Sequence, residues 1–184
     1  MEKWKCKKTE LILDTPVFKV RKDLVQLPSG KTMDWTYWDS RDSAMIVGIT
    51  KDKKLILIEQ YRYLVGKTVI EFPAGGLNGS ENIKVGAKRE FREETGYECN
   101  FLVKLGSFYE TYGQLNRKIH IFFAKVQGKA SQKRENPEHE RTRVKFVTFK
   151  EAVNFALTNK FQSTPNAAAI LLLKEKINKR EIIV

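Results

Sequence analysis

The sequence predicts an α+β fold, an α/β/α sandwich in which a mixed sheet lies between helices, preceded by a small antiparallel β segment. Three observations carry this. Residues 44–50 and 54–61 are continuous apolar runs of strand length, as expected for strands buried on both faces. Residues 82–95 read as one helix, stopped by Gly96. Further strands and two more helical segments then close the chain, an order that suggests helices packed on the faces of a sheet.

The elements follow in order. "TELILDT", "VFKVRKDLVQL" and "KTMDWTYWD" read as short strands separated by Asp14-Thr15-Pro16 and Pro28-Ser29-Gly30, both turn signals. Such a meander is too small to be stable alone and must pack on its own chain or on a second copy. "AMIVGIT" and "KLILIEQY" are joined by Lys51-Asp52-Lys53, and the short strand "TVIEF" leads to Pro73. After the central helix, "NFLVKLGSFYE", "KIHIFFAKV" and "TRVKFVTF" read as strands. "FKEAVNFALTNK" and "TPNAAAILLLKEKINKR" read as helices, the second with Thr164 as N-cap and Pro165 at the first helical position. We expect residues 1–40 to form an N-terminal β segment and residues 41–184 the main domain.

Composition narrows the class. The 184 residues suffice for one well-packed domain, and 41% hydrophobic with 30% charged residues is ordinary for a soluble protein. No apolar run approaches the roughly 20 residues of a membrane helix, and the first residues have no apolar core of signal-peptide length. A cytoplasmic protein with no membrane partner is expected. Cys6 and Cys99 are far apart and form no CxxC pair, so both read as free thiols. Lys and Arg number 34 against 22 Asp and Glu, a formal net charge of +12. That excess fits a solvated surface, a nucleic-acid footprint or a field for anionic small molecules, with the solvated surface as the default.

Against this basic background, Glu90, Glu93 and Glu94 crowd together. At about 100° per residue they fall on one helical arc, bordered by Phe91 and Ala87, which should face the core. A solvated charged face would place opposite charges four apart. The pairs Glu90/Glu94 and Glu90/Glu93 are like-charged, and each costs a few tenths of a kcal/mol. Arg89 can reach Glu93, but one arginine does not neutralise three acids. A hard divalent cation would, through oxygen ligands, water and phosphate oxygens. The preceding "EFPAGGLNGSE" has glycines that allow close backbone approach, although a flexible connection reads the same way.

These residues resemble the Nudix box: Gly75, five residues, Glu81, seven residues, Arg89-Glu90, apolar Phe91, Arg92, Glu93-Glu94, Thr95, Gly96 and apolar Tyr97. Seven fixed positions at average residue frequencies give a chance match on the order of 10⁻⁸ per start. "EQYRY" followed by "IEFPAGG" is similar to the ADP-ribose and nucleoside diphosphate sugar pyrophosphatase branch, and the resemblance covers most of residues 41–176. It implies Mg²⁺- or Mn²⁺-dependent hydrolysis of a nucleoside diphosphate sugar to a nucleoside monophosphate and a sugar phosphate. It implies Glu90, Glu93 and Glu94 as metal ligands with the carbonyl of Ala74, and Glu93 and Arg89 in catalytic roles, Arg89 orienting the carboxylates. Glu81, Gly75 and Gly96 would brace the loop–helix unit. A loop glutamate, Glu140 with Glu138 second, would be a base or extra ligand; an acidic surface loop is the plainer alternative, and His139 has no assigned role. The N-terminal strands imply a homodimer.

The resemblance also places Arg62 toward phosphate and Glu71 toward the terminal sugar, with a surface salt bridge as the plain alternative. Arg41 is a further candidate. Trp35, Tyr37 and Trp38 could stack a base or simply pack. One departure stands out: "TYGQLNRKIHIFFA" has Tyr112 where the branch has Pro and Arg117 where it has Glu, while His120 is retained. The departure favours a broader or different nucleoside diphosphate sugar preference and keeps two alternatives open. One is a Nudix hydrolase of dinucleoside polyphosphates or capped RNA. The other is a non-catalytic RNA-binding module, against which the intact glutamates speak. A nucleic-acid partner is not the expectation.

Overall fold

The structure, a computed structural model, describes residues 2–130 and 141–184. The chain divides into two compact units, Met1–Asp42 with Tyr109–Lys118, and Ser43–Phe108 with Ile119–Val184.

In the first unit, β1 (Lys5–Asp14), β2 (Lys19–Gln26) and β3 (Thr32–Asp39) form an antiparallel meander in that order. Thr15 caps the first turn: its hydroxyl donates to Phe18 O and accepts from Phe18 N–H. Gly30 serves the second turn at φ +84°. β1 is exposed along its whole length, and Trp4, Leu11, Ile12 and Leu13 stand in solvent. Asp39, at the end of β3, accepts from Arg21 on β2 and from the side-chain amide of Asn116. Trp38 exchanges backbone hydrogen bonds with the 109–118 segment, donating to Gln114 O and accepting from Asn116 N–H.

The second unit is a sheet sandwiched by helices. Its elements are β4 (Ser43–Ile49), β5 (Lys54–Arg62), a 3₁₀ turn (Tyr63–Val65), β6 (Lys67–Glu71), β7 (Ala74–Gly76), α1 (Ile83–Thr95), β8 (Tyr97–Tyr109), β9 (Lys118–Lys129), β10 (Thr142–Thr148), α2 (Phe149–Leu157) and α3 (Thr164–Asn178). The strands run β10-β5-β4-β9-β8, with β6 paired to β5 and β7 to β4. β4 and β9 are parallel and β4 and β5 antiparallel, so the sheet is mixed. Every residue of β4 is buried, as its unbroken apolar run predicted.

Two cores lie on opposite faces of this sheet. Met45, Val47, Leu55 and Leu57 pack against Ala152 and Phe155 of α2 and Ala169, Ile170 and Leu173 of α3. Ala44, Ile46, Ile56 and Phe122 pack against Ala87 and Phe91 of α1. Phe91 sits over Gly48, where an added Cβ would come within 2.7 Å of its ring. The close seat of α1 on the sheet therefore depends on a missing side chain.

The last helix begins differently from the sequence expectation. Ser163, not Thr164, is the N-cap of α3, and Thr164 is already helical. No side-chain cap bond is made there; the Ser163 hydroxyl accepts from Asn166 instead. Asn166 is buried, and its Oδ1 accepts from Phe72 N–H at 2.6 Å. This bond ties α3 to the chain just ahead of Pro73. α2 ends at Leu157, short of the helical reading to residue 160, although its capping box (Thr148 with Glu151) is complete.

Asp39 supplies a testable pH dependence. Hydrogen bonds from Asn116 and Arg21 hold its carboxyl below the usual carboxylate range. A depressed folded pKa gives stability that is present above the unfolded value near 3.9 and is lost as pH falls through the folded one. All three tryptophans (Trp4, Trp35 and Trp38) lie in this unit, so tryptophan fluorescence reports it alone. The wild-type transition in urea should move to lower denaturant between pH 6 and pH 3, and Asp39→Asn should flatten that dependence. An equally steep loss in Asp39→Asn would contradict the assignment.

Candidate active site

Local chemistry explains how the carboxylates are presented. Asn82 caps α1, its side chain accepting from Lys84 N–H, and Gly96 ends the helix at φ +71° with its N–H on Arg92 O. Between β7 and α1 the chain turns at Asn78, whose N–H donates to Glu81 Oε2 while Glu81 N–H donates to Asn78 O. The loop and the helix are then tied by one guanidinium. Arg89 donates to both carboxylate oxygens of Glu81 at 3.1 Å, to Glu90 at 2.7 Å, to Glu93 at 2.9 Å and to the carbonyl of Gly76 at 3.1 Å. Charge-assisted bonds of this fork type are the strong ones. They hold Arg89 above its ordinary pKa, the Glu81 bond first among the causes, and they hold Glu81 below the usual carboxylate range.

Glu94 is held differently. Its Oε2 accepts from Ala74 N–H at 2.7 Å, and its backbone carbonyl accepts from the Thr142 hydroxyl at 3.0 Å. Burial pushes its carboxyl up to about 8; the Ala74 bond opposes this, and the charges of Glu90 and Glu71 add to the rise. Glu71 accepts from Arg62 at 2.6 Å, yet burial still raises its pKa, with Arg62 working against it. Glu90 reaches so close to the backbone that a Cβ on Gly75 would lie 2.0 Å from its Oε2. Only a glycine leaves that carboxylate its place.

The second unit therefore brings together Ala74, Gly75, Glu81, Arg89, Glu90, Glu93 and Glu94, with the Arg62–Glu71 pair within electrostatic reach of Glu94. Trp35 and Arg41 belong to the first unit, where Trp35 packs edge-on against Trp4 at 5.7 Å. In the departing segment Tyr112 is exposed, and Arg117 is paired with Glu110. Glu140, Glu138 and His139 lie outside the described residues. Thr142 and Asn166, which anchor the helix end and the approach to the glycine loop, were not singled out from the sequence. The one signal for Asn166 was a lone amide at the head of the apolar run "AAAILLL".

The donor set suits a hard divalent cation. It is all oxygen, it carries more negative charge than Arg89 offsets, and it includes a largely buried carboxyl whose charged form is only partly compensated. Among the described residues no three His, Cys, Asp or Glu side chains already stand as a metal-holding group. Arg89 holds Glu90 and Glu93 toward itself, and Glu94 turns to Ala74.

Comparison with known proteins supplies the family. A family model for the NUDIX domain matches residues 39–170. A methanol dehydrogenase activator of Bacillus methanolicus is 32% identical over 167 residues, covering 91% of this chain and 90% of that protein. An ADP-ribose pyrophosphatase of Bacillus subtilis (strain 168) is 30% identical over 174 residues, 94% of each. The crystal structure of an ADP compounds hydrolase superposes with a TM-score of 0.84 over 98% of this chain and 97% of that one, at 21% identity, which speaks for the fold. The chain belongs to the Nudix hydrolases, on the branch that includes the ADP-ribose pyrophosphatases.

Proposed function

We propose that the enzyme hydrolyses the diphosphate linkage of ADP-ribose or another nucleoside diphosphate sugar, in the cytoplasm, with Mg²⁺ or Mn²⁺. The observation that carries this reading is the surplus of carboxylate on α1 facing a glycine loop, with Arg62 and Glu71 beside it. The similarity to an ADP-ribose pyrophosphatase over almost the whole chain supports the substrate class.

Glu90, Glu93 and Glu94, with the carbonyl of Ala74, would hold the ion. When bound, it would neutralise diphosphate charge and make a bound water more acidic. The chain's own residues do the positioning. Arg89 fixes the loop against the helix and sets where Glu90 and Glu93 start from. Arg62, still partly exposed while paired with Glu71, can offer its guanidinium to a phosphate. Glu71, half-buried and adjoining, can accept from a sugar hydroxyl. Glu140 keeps its proposed part as base or added ligand from its place in the sequence alone. Trp35 and Arg41 keep theirs as base- and phosphate-side contacts on the same footing.

We further infer that the first unit joins two copies. β1 is an edge strand of a three-stranded sheet, and Leu11, Ile12 and Leu13 on it are about half exposed, at 46%, 52% and 49%. Exposed strand edges with apolar residues favour pairing with another chain. Light scattering at micromolar concentration should give about twice the chain mass, and a monomer there would end this inference.

Three activity predictions test the site. In a panel of ADP-ribose, ADP-, GDP- and UDP-sugars, dinucleoside polyphosphates and capped RNA, turnover should need Mg²⁺ or Mn²⁺ and be fastest on a diphosphate sugar. Glu94→Gln should fold normally and lose on the order of 10²-fold or more in kcat/KM. Metal-independent turnover, or wild-type rates in that variant, would refute the reading. Gly75→Ala should displace Glu90, which can swing aside, so stability should change by less than about 1 kcal/mol while activity falls on the order of 10²-fold. An active Gly75→Ala enzyme would show that the position of Glu90 is unimportant.

A further inference from the structure

Three buried side-chain atoms lack a hydrogen-bond partner among the described residues: Asp23 Oδ1, Ser43 Oγ and Gln60 Oε1. Asp23 lies on β2 in the first unit. Ser43 shares its strand parity with Met45 and Val47, which pack toward α2 and α3. Gln60 is only 6% exposed and lies on the other face. It follows Ile56 and Ile58 at even positions of β5, and Ile56 belongs to the core beneath α1.

Its neighbours place it under the carboxylates. Gln60 stands opposite Thr142 on β10 and opposite Val69 on β6. Thr142 donates its hydroxyl to Glu94 O, so this row of the sheet passes below the last turn of α1. The next row pairs Ile58 with Glu71 on the same face, and Glu71 is felt electrostatically by Glu94. Gln60 Oε1 is thus a buried acceptor on the face that also carries Glu71 and Arg62, and the Arg62 guanidinium is bonded to Glu71 rather than to it. A buried acceptor without a donor is destabilising, and natural proteins keep such defects chiefly at functional sites.

The missing donor has a restricted chemistry. A diphosphate brings oxygens that are themselves acceptors at neutral pH. A hydrated divalent cation brings donors, because its bound waters point their hydrogens outward. Magnesium in particular keeps several waters. We propose that Gln60 is a positioning residue of the metal site, its amide oxygen accepting a hydrogen bond from a water carried by a divalent cation on α1. This rests on the metal site proposed above. It assigns Gln60 to the outer shell that orients a metal's ligands and waters, and not to the ligands themselves.

The test uses the full chain and Mn²⁺ alone, without substrate. Gln60→Met keeps the length of the side chain and removes its polar atoms; Gln60→Leu serves if the first variant misfolds. Two quantities are read: the urea midpoint in EDTA, and the Mn²⁺ dissociation constant by calorimetry. The expected result is a midpoint equal to or above that of the wild type, with Mn²⁺ bound roughly 10-fold or more weakly. A lower midpoint without metal would show that Gln60 has a partner within the protein and would overturn the proposal. So would Mn²⁺ affinity within about twofold of the wild type. If the wild type itself binds no Mn²⁺, the metal site falls and this inference with it. If the wild type binds and the variant binds equally well, only this inference falls.

Discussion

The Arg89 guanidinium is the constraint on which the arrangement depends. It joins the glycine loop through Gly76 O, the entry to the helix through Glu81, and the helix face through Glu90 and Glu93. A lysine could not replace it, because one ammonium cannot reach these oxygens in a fixed fork. The clamp also limits what the site is without a ligand. One cation tethers three acids, while Glu94 is left to burial and a single backbone N–H. The electrostatic defect is therefore local: the chain as a whole carries net positive charge, yet at Glu94 the charge of Arg62 only partly offsets burial and the neighbouring carboxylates.

The sheet serves this clamp. α1 can lie close because Gly48 offers no side chain under Phe91. The loop can approach the helix because Gly75 offers none under Glu90. Asn166 fixes Phe72 from the far layer, and Thr142 fixes the end of α1 from the edge strand β10. Each of these contacts is buried or half-buried, so the carboxylates sit on rigid elements rather than on a mobile rim. The orphaned oxygen of Gln60 belongs to the same pattern, in which local stability is forgone at the place where a ligand is expected.

Much of this was legible in the sequence, for physical reasons. Strands β4 and β5 announced themselves because two-sided burial leaves an unbroken apolar run. The arc of Glu90, Glu93 and Glu94, with Phe91 and Ala87 turned inward, follows from helical spacing alone. Gly96 reads as a stop because left-handed backbone there favours glycine. The contacts that were not legible span long sequence separations. Phe72 to Asn166 crosses 94 residues and Glu94 to Thr142 crosses 48, and no local pattern encodes such pairs. The start of α3 differs by one residue from the sequence expectation because Ser163 and Thr164 are both good caps; in the fold Ser163 takes the position, and its hydroxyl accepts locally from Asn166. Trp35 could be read as a stacking residue or a packing one; its partner Trp4 lies 31 positions away in sequence, just ahead of β1.

The central claim is that the negative surplus on α1 is complete only with a divalent cation and a diphosphate. The most direct measurement is an anomalous difference map from crystals of the protein grown with Mn²⁺ and a non-hydrolysable ADP-ribose analogue. The account predicts an Mn²⁺ peak at about 2.0–2.4 Å from carboxylate oxygens of Glu90 and Glu94, with diphosphate oxygens on the open side. A peak elsewhere on the molecule, or bound analogue with Arg89 still holding Glu90 and Glu93 and no metal between them, would contradict it.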